Sequence, residues 1–360
     1  MEIKDKNLYF VGGVVRDEIL GIKSLDIDYT YEGDAIEFAK EKRLNIIKTN
    51  PDFGTVRVLT STGEIDIAST RLEIYPKAGH LPVIQKIACS LEEDLKRRDF
   101  TINALAKNTL TGEIVDIFGG LDDIKNKKLK VLHEKSFIED PSRILRGFKF
   151  AVRLGFELEK NTEILERDYL ENINYDISYH RLKKELKEIF SLGKAGVFNE
   201  FINKSYYKLL NSAQEKPSIK ILDENVFNIQ RLNYPYMIYL SLFNLDNFEL
   251  LAEEAEIVNK YNEIKNNIPQ SDIEIYRLFN NLPLETIILY GITIDSTIAM
   301  RYLDYLAKIK IEINGNDLKR LGIAQGKIYK EIFEYVLTQK FLDNKISKDD
   351  EINLVKEKFL

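Results

Sequence analysis

Two aspartates stand two residues apart in the segment SLDIDY, at positions 26 and 28. Side chains alternate across a β-strand, so Asp26 and Asp28 project from the same face of an extended segment. Carboxylates on one face can share a divalent ion, and oxygen ligands that leave room for water and substrate phosphates suit magnesium. The spacing predicts a magnesium site. The plain alternative is a polar strand end on the surface.

The segment VGGVVRD, which lies upstream, is suited to a phosphate group. Gly12 and Gly13 end a predicted strand before a helix, so their backbone N–H groups can face an anion with no side chain between. Arg16 lies one helical turn further on, where its guanidinium can hold phosphate oxygens bidentately, and Asp17 can orient a neighbour. The structural alternative is an ordinary tight turn from strand to helix.

A third carboxylate, Asp66 in GEIDIAS, falls on a predicted strand of the same sheet. Three converging carboxylates repel one another and are costly to desolvate, so either magnesium or arginines must compensate them. Asp66 is therefore a candidate catalytic residue, and a position on the surface of a hairpin explains it equally well.

The segment EEDLKRRDFTINALA places two arginines before an acidic residue. Arg97 and Arg98 precede Asp99, and Asn103 follows four residues later on a predicted helix. The charged run leads directly into apolar residues, which draw its end toward the interior. Arginines beside a carboxylate cleft can neutralise the charge of a triphosphate. A solvated charged face is the alternative.

The segment FIEDPSRILRGFKFAVRLGF predicts a helix that begins near Pro141. Asp140, Arg143 and Arg146 follow one another at steps of three, so neighbouring members lie close together. A carboxylate acceptor beside a guanidinium donor complements cytosine and adenine, which both present an exocyclic amine next to a ring-nitrogen acceptor. Uracil and guanine present the opposite pattern and should be refused. The alternative is a simple salt bridge along the helix.

These residues need a scaffold that brings strand ends and helix starts together. Strand patterns with turn signals occupy the first third of the chain, in NLYFV, DIDYTY, GTVRVLT, EIDIAST and TLTGEIVDIF. Asp34 and Glu37 predict a capping box at the start of a helix. From about Phe137 onward helical periodicity dominates. We expect an α+β fold with a small mixed-sheet head at 1–135, followed by an elongated all-α neck at 136–200, body at 201–300 and tail at 301–360.

Composition narrows the class of protein. The chain has 360 residues, is 44% hydrophobic and carries a formal net charge of −6, so it can bury a full core and is not uniformly basic. A single cysteine, Cys89, excludes an internal disulfide and suits a reducing compartment. The polar N-terminus and the lack of an apolar run of about 20 residues predict a cytoplasmic protein with no membrane segment.

The motifs VGGVVRD, LDIDY, RRDFTINA, DIFGGLDDIKNKKLKVL and EDPSRILRGFKFAVRLGF occur in the order found in class II tRNA nucleotidyltransferases, and the head is similar to the polymerase beta superfamily. The resemblance implies addition of C, C and A to the 3′ end of tRNA from CTP and ATP, without a template and with Mg²⁺. It implies that Asp26 and Asp28 bind magnesium, and that Gly13, Arg16, Arg98, Arg143 and Arg146 hold or read the nucleotide while Asp140 pairs with the base.

The scope of the reaction stays open within this family. The segment STRLEIYPKAGHLPVIQKIACSLEE fills the interval in which members that add only CC lack a flexible loop, which argues against CC addition alone. EIYPKAGHLPV and FIEDPSRILR also resemble members that add only A. The chain has three histidines, and no histidine-aspartate pairing typical of a phosphohydrolase appendage.

Two other functions remain alternatives. The first is a nucleotidyltransferase that modifies a small molecule or a protein, against which the long helical region argues. The second is an RNA-binding protein that kept the head and lost turnover, which the presence of both Asp26 and Asp28 disfavours. Several basic residues of the helical region are candidate RNA contacts, although a solvated helix face also needs such charge: Lys183, Lys184, Lys187, Lys319, Arg320, Lys327 and Lys330. No obligate protein partner is implied.

Overall fold

The computed structural model describes residues 3–24, 27–61, 63–173, 176–192, 195–210 and 227–360. The chain divides into two compact units. The first comprises Met1–Ile189, Val197–Lys216 and Phe243–Phe248, and the second comprises Phe190–Gly196, Pro217–Leu242 and Glu249–Leu360. The predicted head and most of the predicted neck therefore fall within the first unit, and the finer division into body and tail stays a prediction.

The strands confirm the predicted mixed sheet in the first third of the chain. Their bounds are β1 Leu8–Val11, β2 Tyr29–Tyr31, β3 Asn45–Asn50, β4 Thr55–Thr60, β5 Gly63–Ser69, β6 Arg71–Ile74, β7 Val83–Ile87, β8 Leu105–Asn108, β9 Ile114–Asp116, β10 Lys128–Leu129 and β11 Glu157–Leu158.

The main sheet has seven strands in the order β3-β4-β5-β2-β1-β8-β9. All neighbouring strands are antiparallel except β2 and β5, which pair in parallel with Tyr29 beside Ile67. Both of these side chains are buried in a cluster with Leu8 and Phe38. One face of the sheet thus packs on the core, and the alternation of side chains sends the residues before Tyr29 and Ile67 to the other face.

Most of the helical residues lie after the head, in the described part of the chain from Ser136 onward. Their bounds are α1 Gly13–Ile19, α2 Ala35–Glu41, α3 Leu91–Lys96, α4 Gly120–Lys125, α5 Ser136–Glu139, α6 Ser142–Leu154, α7 Lys160–Glu171, α8 Tyr179–Phe190, α9 Ala195–Asn203, α10 Met237–Leu240, α11 Ala252–Ile264, α12 Asp272–Phe279, α13 Leu284–Thr293, α14 Ser296–Asp304, α15 Gly315–Arg320, α16 Lys327–Leu342 and α17 Lys348–Phe359.

Local sequence signals explain where several helices begin and end. The side chain of Asp34 caps α2 by accepting hydrogen bonds from the backbone N–H groups of Ile36 and Glu37, which confirms one half of the predicted capping box. Helix α6 begins directly after Pro141. It ends at Gly155, whose φ of 68° lies in the left-handed region that favours glycine.

One local expectation was wrong, and one segment has more regular structure than expected. Asn103 lies in a short 3₁₀ turn, Thr101–Asn103, and not in an α-helix, because the chain enters strand β8 at Leu105. The segment expected as a flexible loop before RRD contains the antiparallel strands β6 and β7. Its backbone is therefore paired at Arg71–Ile74 and Val83–Ile87, which a sequence without strong alternation does not reveal.

The second unit is helical in its described residues. Its last three helices pack around Ile313, Leu318, Ile332, Val336 and Val355. Within that region Lys340 is buried and forms ion pairs with Glu312 and Glu351. None of the helices in the described ranges is long and apolar enough to cross a membrane.

Candidate functional site

Asp28, one of the two carboxylates predicted to bind metal, directly precedes β2. Asp28 is exposed, and its backbone carbonyl accepts a hydrogen bond from the N–H of Val11 at 3.1 Å. Asp26 lies outside the described residues. The parallel register of β2 and β5, continued by one residue before Tyr29 and Ile67, places Asp28 beside Asp66 on the exposed face of the sheet.

Asp66 is held by a neighbouring strand. Arg57 on β4 donates to both carboxylate oxygens of Asp66, at 2.8 and 2.7 Å. The hydrogen bonds from Arg57 lower the pKa of Asp66 and outweigh its partial burial. In this structure an arginine therefore compensates the charge of Asp66, and a catalytic role for this residue stays a prediction. Among the described residues no three acidic, histidine or cysteine side chains are grouped closely enough to hold a metal ion.

The two glycines before α1 serve different purposes. Gly12 has a φ of 74°, and a Cβ atom there would lie 2.8 Å from Nη1 of Arg98. The N–H of Gly12 donates to the carbonyl of Leu105 at 3.1 Å, so it is used within the protein, and contact of Gly12 with a phosphate stays a prediction. Gly13 opens α1. Glycine at position 12 thus lets the Arg98 guanidinium approach the backbone closely.

Arg16 points inward rather than toward solvent. Its Nε and Nη2 atoms donate to Oδ1 of Asp17 at 2.8 and 2.6 Å, and its Nη1 donates to Oδ1 of Asn103 at 2.6 Å. Its guanidinium also lies 5.2 Å from the ring centre of Phe150. Arg16 and Asp17 are both 3% exposed. The donors predicted to hold phosphate are thus engaged within the protein, and contact of Arg16 with a nucleotide stays a prediction.

Asp99 connects the RRD motif to helix α6. Its Oδ1 accepts hydrogen bonds from the N–H of Phe100 and from Nδ2 of Asn103, and its Oδ2 accepts one from Nε of Arg146 at 2.8 Å. Burial alone would raise the pKa of Asp99, but Arg146 and these hydrogen bonds lower it to about 2. The charge of Asp99 in turn raises the pKa of Arg146. Asp99 thus remains ionised and fixes Arg146.

The sequence interpretation missed Asp94, which is the acidic partner of both Arg97 and Arg98. Its carboxylate is fully buried, 2.9 Å from Nη2 of Arg97 and 3.2 Å from Nη2 of Arg98. Burial opposes the charged form of Asp94, yet the two arginines keep its pKa below the usual value. Spacings of three and four residues along α3 could have indicated this contact. Nε of Arg98 is buried and has no hydrogen-bond partner in the described part of the chain.

The predicted base-reading residues lie at the start of α6, and they are buried rather than at the surface. Asp140 is 4% exposed and Arg143 is 3% exposed, with Nε of Arg143 3.8 Å from Oδ2 of Asp140. Arg143 donates to Oγ of Ser136 at 2.7 Å and to the carbonyl of Arg97 at 2.9 Å. The structure therefore brings the two residues together as predicted and adds a link between Arg143 and the RRD motif.

Two residues of α8 complete this region, and the sequence interpretation did not single them out. Arg181 donates to Oδ2 of Asp140, and Glu185 accepts from Nη1 of Arg146 at 3.2 Å. The first contact joins residues 41 positions apart in the chain, and the second joins residues 39 positions apart. No local pattern in the sequence indicates such a pairing, because it depends on how α6 and α8 pack.

A family model described as the poly A polymerase head domain matches residues 8–130. An A-adding tRNA nucleotidyltransferase of Aquifex aeolicus is 33% identical over 91% of this chain and 44% of its own length. One of Halalkalibacterium halodurans is 27% identical over 98% of this chain and 89% of its own length. A CCA-adding enzyme of Streptococcus pyogenes is 40% identical, but over 49% of this chain and 45% of that enzyme. The chain thus spans less than half of the Aquifex and Streptococcus relatives.

Solved structures resemble nearly the whole chain. A CCA-adding enzyme in an apo form is 29% identical with a TM-score of 0.79, covering 97% of this chain and 91% of that one. A complex of a CCA-adding enzyme with ATP is 28% identical with a TM-score of 0.75, and the match covers 97% of this chain and 90% of that one. The Thermotoga maritima CCA-adding enzyme complexed with tRNA(CCA) is 28% identical with a TM-score of 0.72, and the match covers 98% of this chain and 91% of that one. Together with the head and neck motifs, these similarities show that the chain belongs to the class II tRNA nucleotidyltransferases.

Proposed function

We propose that this protein adds nucleotides of the CCA sequence to the 3′ end of tRNA, using CTP and ATP and no nucleic-acid template. The observation that carries this proposal is the buried pair at the start of α6, in which Arg143 Nε lies 3.8 Å from Asp140 Oδ2. A carboxylate acceptor beside a guanidinium donor complements the edge that cytosine and adenine share. Uracil and guanine would leave these buried groups unpaired, which is a strong basis for rejection.

In the proposed reaction, the 3′-hydroxyl oxygen of tRNA attacks the α-phosphorus of the nucleotide. The new P–O bond forms as the bond to the bridging oxygen of the β-phosphate breaks, and pyrophosphate leaves. The protein needs no covalent nucleophile for this step. Arg98, close to Gly12 and only partly used by Asp94, is the arginine we assign to the triphosphate. Asp99 holds Arg146 in place on α6, three residues after Arg143.

Asp26 and Asp28 are the residues that would hold Mg²⁺. The observation that supports this fit is the exposed carboxylate of Asp28 at the start of β2, because carboxylate oxygen is the donor type that magnesium prefers. When bound, the ion supplies positive charge that stabilises the phosphates and activates the attacking hydroxyl. Asp66 on β5 would assist only if Arg57, which donates to both of its carboxylate oxygens, releases it.

The acceptor is proposed to be tRNA rather than a small molecule. The Thermotoga relative is solved with tRNA, and its similarity extends over 98% of this chain, including the helical region after the head. Lys319, Arg320, Lys327 and Lys330 are exposed on and near α15 and α16. These side chains are candidate contacts to the RNA backbone, where affinity depends mainly on phosphate charge.

The number of nucleotides added separates two candidate functions. Addition of A alone is favoured by the relatives from Aquifex and Halalkalibacterium, which are named A-adding and match 91% and 98% of this chain. Complete CCA addition is favoured by the solved structures, which are named CCA-adding and match 97% and 98% of it. We propose terminal A addition as the activity that both candidates share, and CCA addition as the wider alternative.

The test uses three tRNA substrates that lack the whole CCA end, the final CA or only the final A. Each is incubated with the protein, magnesium and labelled CTP or ATP, and extension is followed on a gel. Extension of only the last substrate, by ATP, identifies A addition, and extension of all three identifies CCA addition. Absence of label in every tRNA contradicts the proposed function.

A further inference from the structure

Asp140 carries more contacts than a base-reading carboxylate requires. Its Oδ1 accepts hydrogen bonds from both the backbone N–H and the Oγ of Ser142, at 3.1 and 2.5 Å. Its Oδ2 accepts a hydrogen bond from Nη2 of Arg181 at 2.5 Å. Oδ1 is therefore saturated, and Oδ2 is the oxygen that retains capacity for the amine of a nucleobase.

Arg181 brings one further buried donor atom, Nη1, to the same place, and this atom has no partner among the described residues. The residue lies in α8, and its Nη2 donates to Asp140. A buried guanidinium nitrogen without a partner is costly, so its retention beside a ligand-reading carboxylate calls for an explanation. An acceptor atom supplied by a ligand would satisfy it.

Arg143, the expected donor to the base, is more heavily used within the protein. Its Nη1 donates to Ser136 and its Nη2 to the carbonyl of Arg97, which leaves Nε directed toward Asp140 at 3.8 Å. A guanidinium has five N–H donors, so Arg143 can still contribute to base reading. Of the two arginines at Asp140, however, Arg181 is the one whose buried Nη1 lacks a partner.

We propose that Arg181 is a base-contacting residue, whose Nη1 donates to a ring nitrogen next to the exocyclic amine while that amine donates to Asp140 Oδ2. This inference rests on the proposed function and deepens it by adding a third side chain to base recognition. In adenine, the exocyclic amine lies between two acceptors, N1 and N7. In cytosine, the amine lies between the acceptor N3 and a C–H group. The contact therefore specifies amine-bearing bases, and a contact to N7 would distinguish adenine from cytosine.

The experiment measures equilibrium binding of ATP, 1-deaza-ATP and 7-deaza-ATP to the full chain in magnesium. It compares the unaltered protein with Arg181→Met and Arg181→Lys. The matched control is Arg167→Met, because Arg167 is exposed on α7 and forms an ion pair with its neighbour Asp168. Extension of tRNA lacking its final A is measured in parallel.

We expect Arg181→Met to weaken ATP binding about 10-fold or more, the effect of losing a charged hydrogen bond. One of the two deaza analogues should bind the unaltered protein less tightly than ATP does, and Arg181→Met should abolish that difference. Arg181→Lys keeps a positive charge for Asp140 but lacks Nη1, so it should not restore ATP affinity. Arg167→Met should bind all three nucleotides normally.

Two results would overturn the inference. If Arg181→Lys restores both ATP affinity and the deaza penalty, Arg181 acts only by positioning Asp140. If Arg181→Met keeps the full penalty for both analogues, no ring nitrogen contacts Arg181. The binding measurements are independent of turnover. Normal binding results combined with no extension of tRNA by the unaltered protein would instead contradict the proposed function and leave the base contact supported.

Discussion

Asp99 and Arg146 form a two-point ion pair, in which Oδ2 of Asp99 lies 2.8 Å from Nε and 2.7 Å from Nη2 of Arg146. The carboxylate is nearly fully buried, and the guanidinium is one-third exposed. This contact joins the RRD motif, which follows α3, to α6, the helix that carries residues proposed to read the base. The segments assigned to the triphosphate and to the base are thereby held in one arrangement.

Substitution of Asp99 by Asn should destabilise the protein by about 3 kcal/mol, because breaking a buried ion pair leaves Arg146 without its principal partner. The measurement is the urea unfolding midpoint at pH 7. Since the pKa of Asp99 falls from 3.8 to about 2 on folding, its stabilisation is complete above pH 4 and is lost as pH falls through 2. Glu37→Gln, which removes an exposed pair with Lys40, is the control and should change little. Equal effects of the two substitutions would contradict the assigned role.

Substitution of Asp28 by Asn should abolish nucleotide incorporation while tRNA affinity stays nearly unchanged, since the carboxylate is proposed to hold magnesium and not RNA. Incorporation of labelled ATP and a gel-shift titration with tRNA measure the two properties. Asp52→Asn, at another exposed aspartate of the same unit, should leave both unchanged. Loss of tRNA binding with retained turnover would show that the metal assignment is wrong.

Replacement of Asp140 by Ala should relax the choice of base, because the acceptor for the exocyclic amine is removed. The ratio of kcat/KM for ATP to that for UTP and GTP measures this choice, and it should fall by at least about 10-fold. Asp168→Ala, at an exposed aspartate of α7, should preserve the ratio. Unaltered discrimination against UTP by Asp140→Ala would contradict base reading by this residue.

Glu166 predicts a pH-dependent stability. Its Oε1 accepts a hydrogen bond from the hydroxyl of Tyr206, its Oε2 has no partner among the described residues, and burial raises its pKa from 4.5 to about 7. Between these values the unfolded chain binds fewer protons than the folded chain, so stability falls as pH rises and the loss is complete above pH 7.

Glu166→Gln should remove this loss, because glutamine cannot ionise and still accepts from Tyr206. The variant should be more stable than the unaltered protein by up to about 3 kcal/mol at pH 8, with no advantage near pH 4. Urea unfolding across this pH range provides the measurement, with Glu163→Gln on the exposed side of α7 as the control. A pH-independent difference would show that Glu166 does not titrate as described.

Binding of tRNA should weaken steeply with salt, with a slope in log–log form of about 0.7 to 0.9 for each phosphate contact. Replacing Lys319, Lys327 and Lys330 by Gln together should lower the slope by about 2 to 3 if all three contact the RNA backbone. Nucleotide affinity without tRNA should not change. An unaltered slope would place the RNA contacts elsewhere.

Part of the site could be predicted from local sequence because its chemistry is local. The steps of three that join Asp140, Arg143 and Arg146 place these residues on neighbouring turns whatever the rest of the fold does. The paired strands β2 and β5, around Tyr29 and Ile67, likewise send the acidic residues before them to one face. Motif order was sufficient to identify the family, and the mixed sheet followed from the strand and turn patterns.

The inward direction of the charged side chains could not be predicted in the same way. Arg16 was expected to face a phosphate, but it contacts Asn103, which is 87 residues away in the chain. Asp140 was expected to lie beside Arg143 and pair with the base, but it also accepts from Arg181, 41 residues further along. Periodicity shows that a residue lies on a helix and cannot show which distant charge will share its buried environment.

The sequence by itself determined the family, the α+β class and the residue types of the site, because spacing within a strand or helix is set by backbone geometry. Only the tertiary structure decided which ion pairs those residues form. The pairs are Arg57 with Asp66, Arg16 with Asp17, Arg146 with Asp99, and Arg181 with Asp140. The physical reason is that a buried charge must find an opposite charge or a hydrogen bond, and the packing of separate elements determines which one lies within reach.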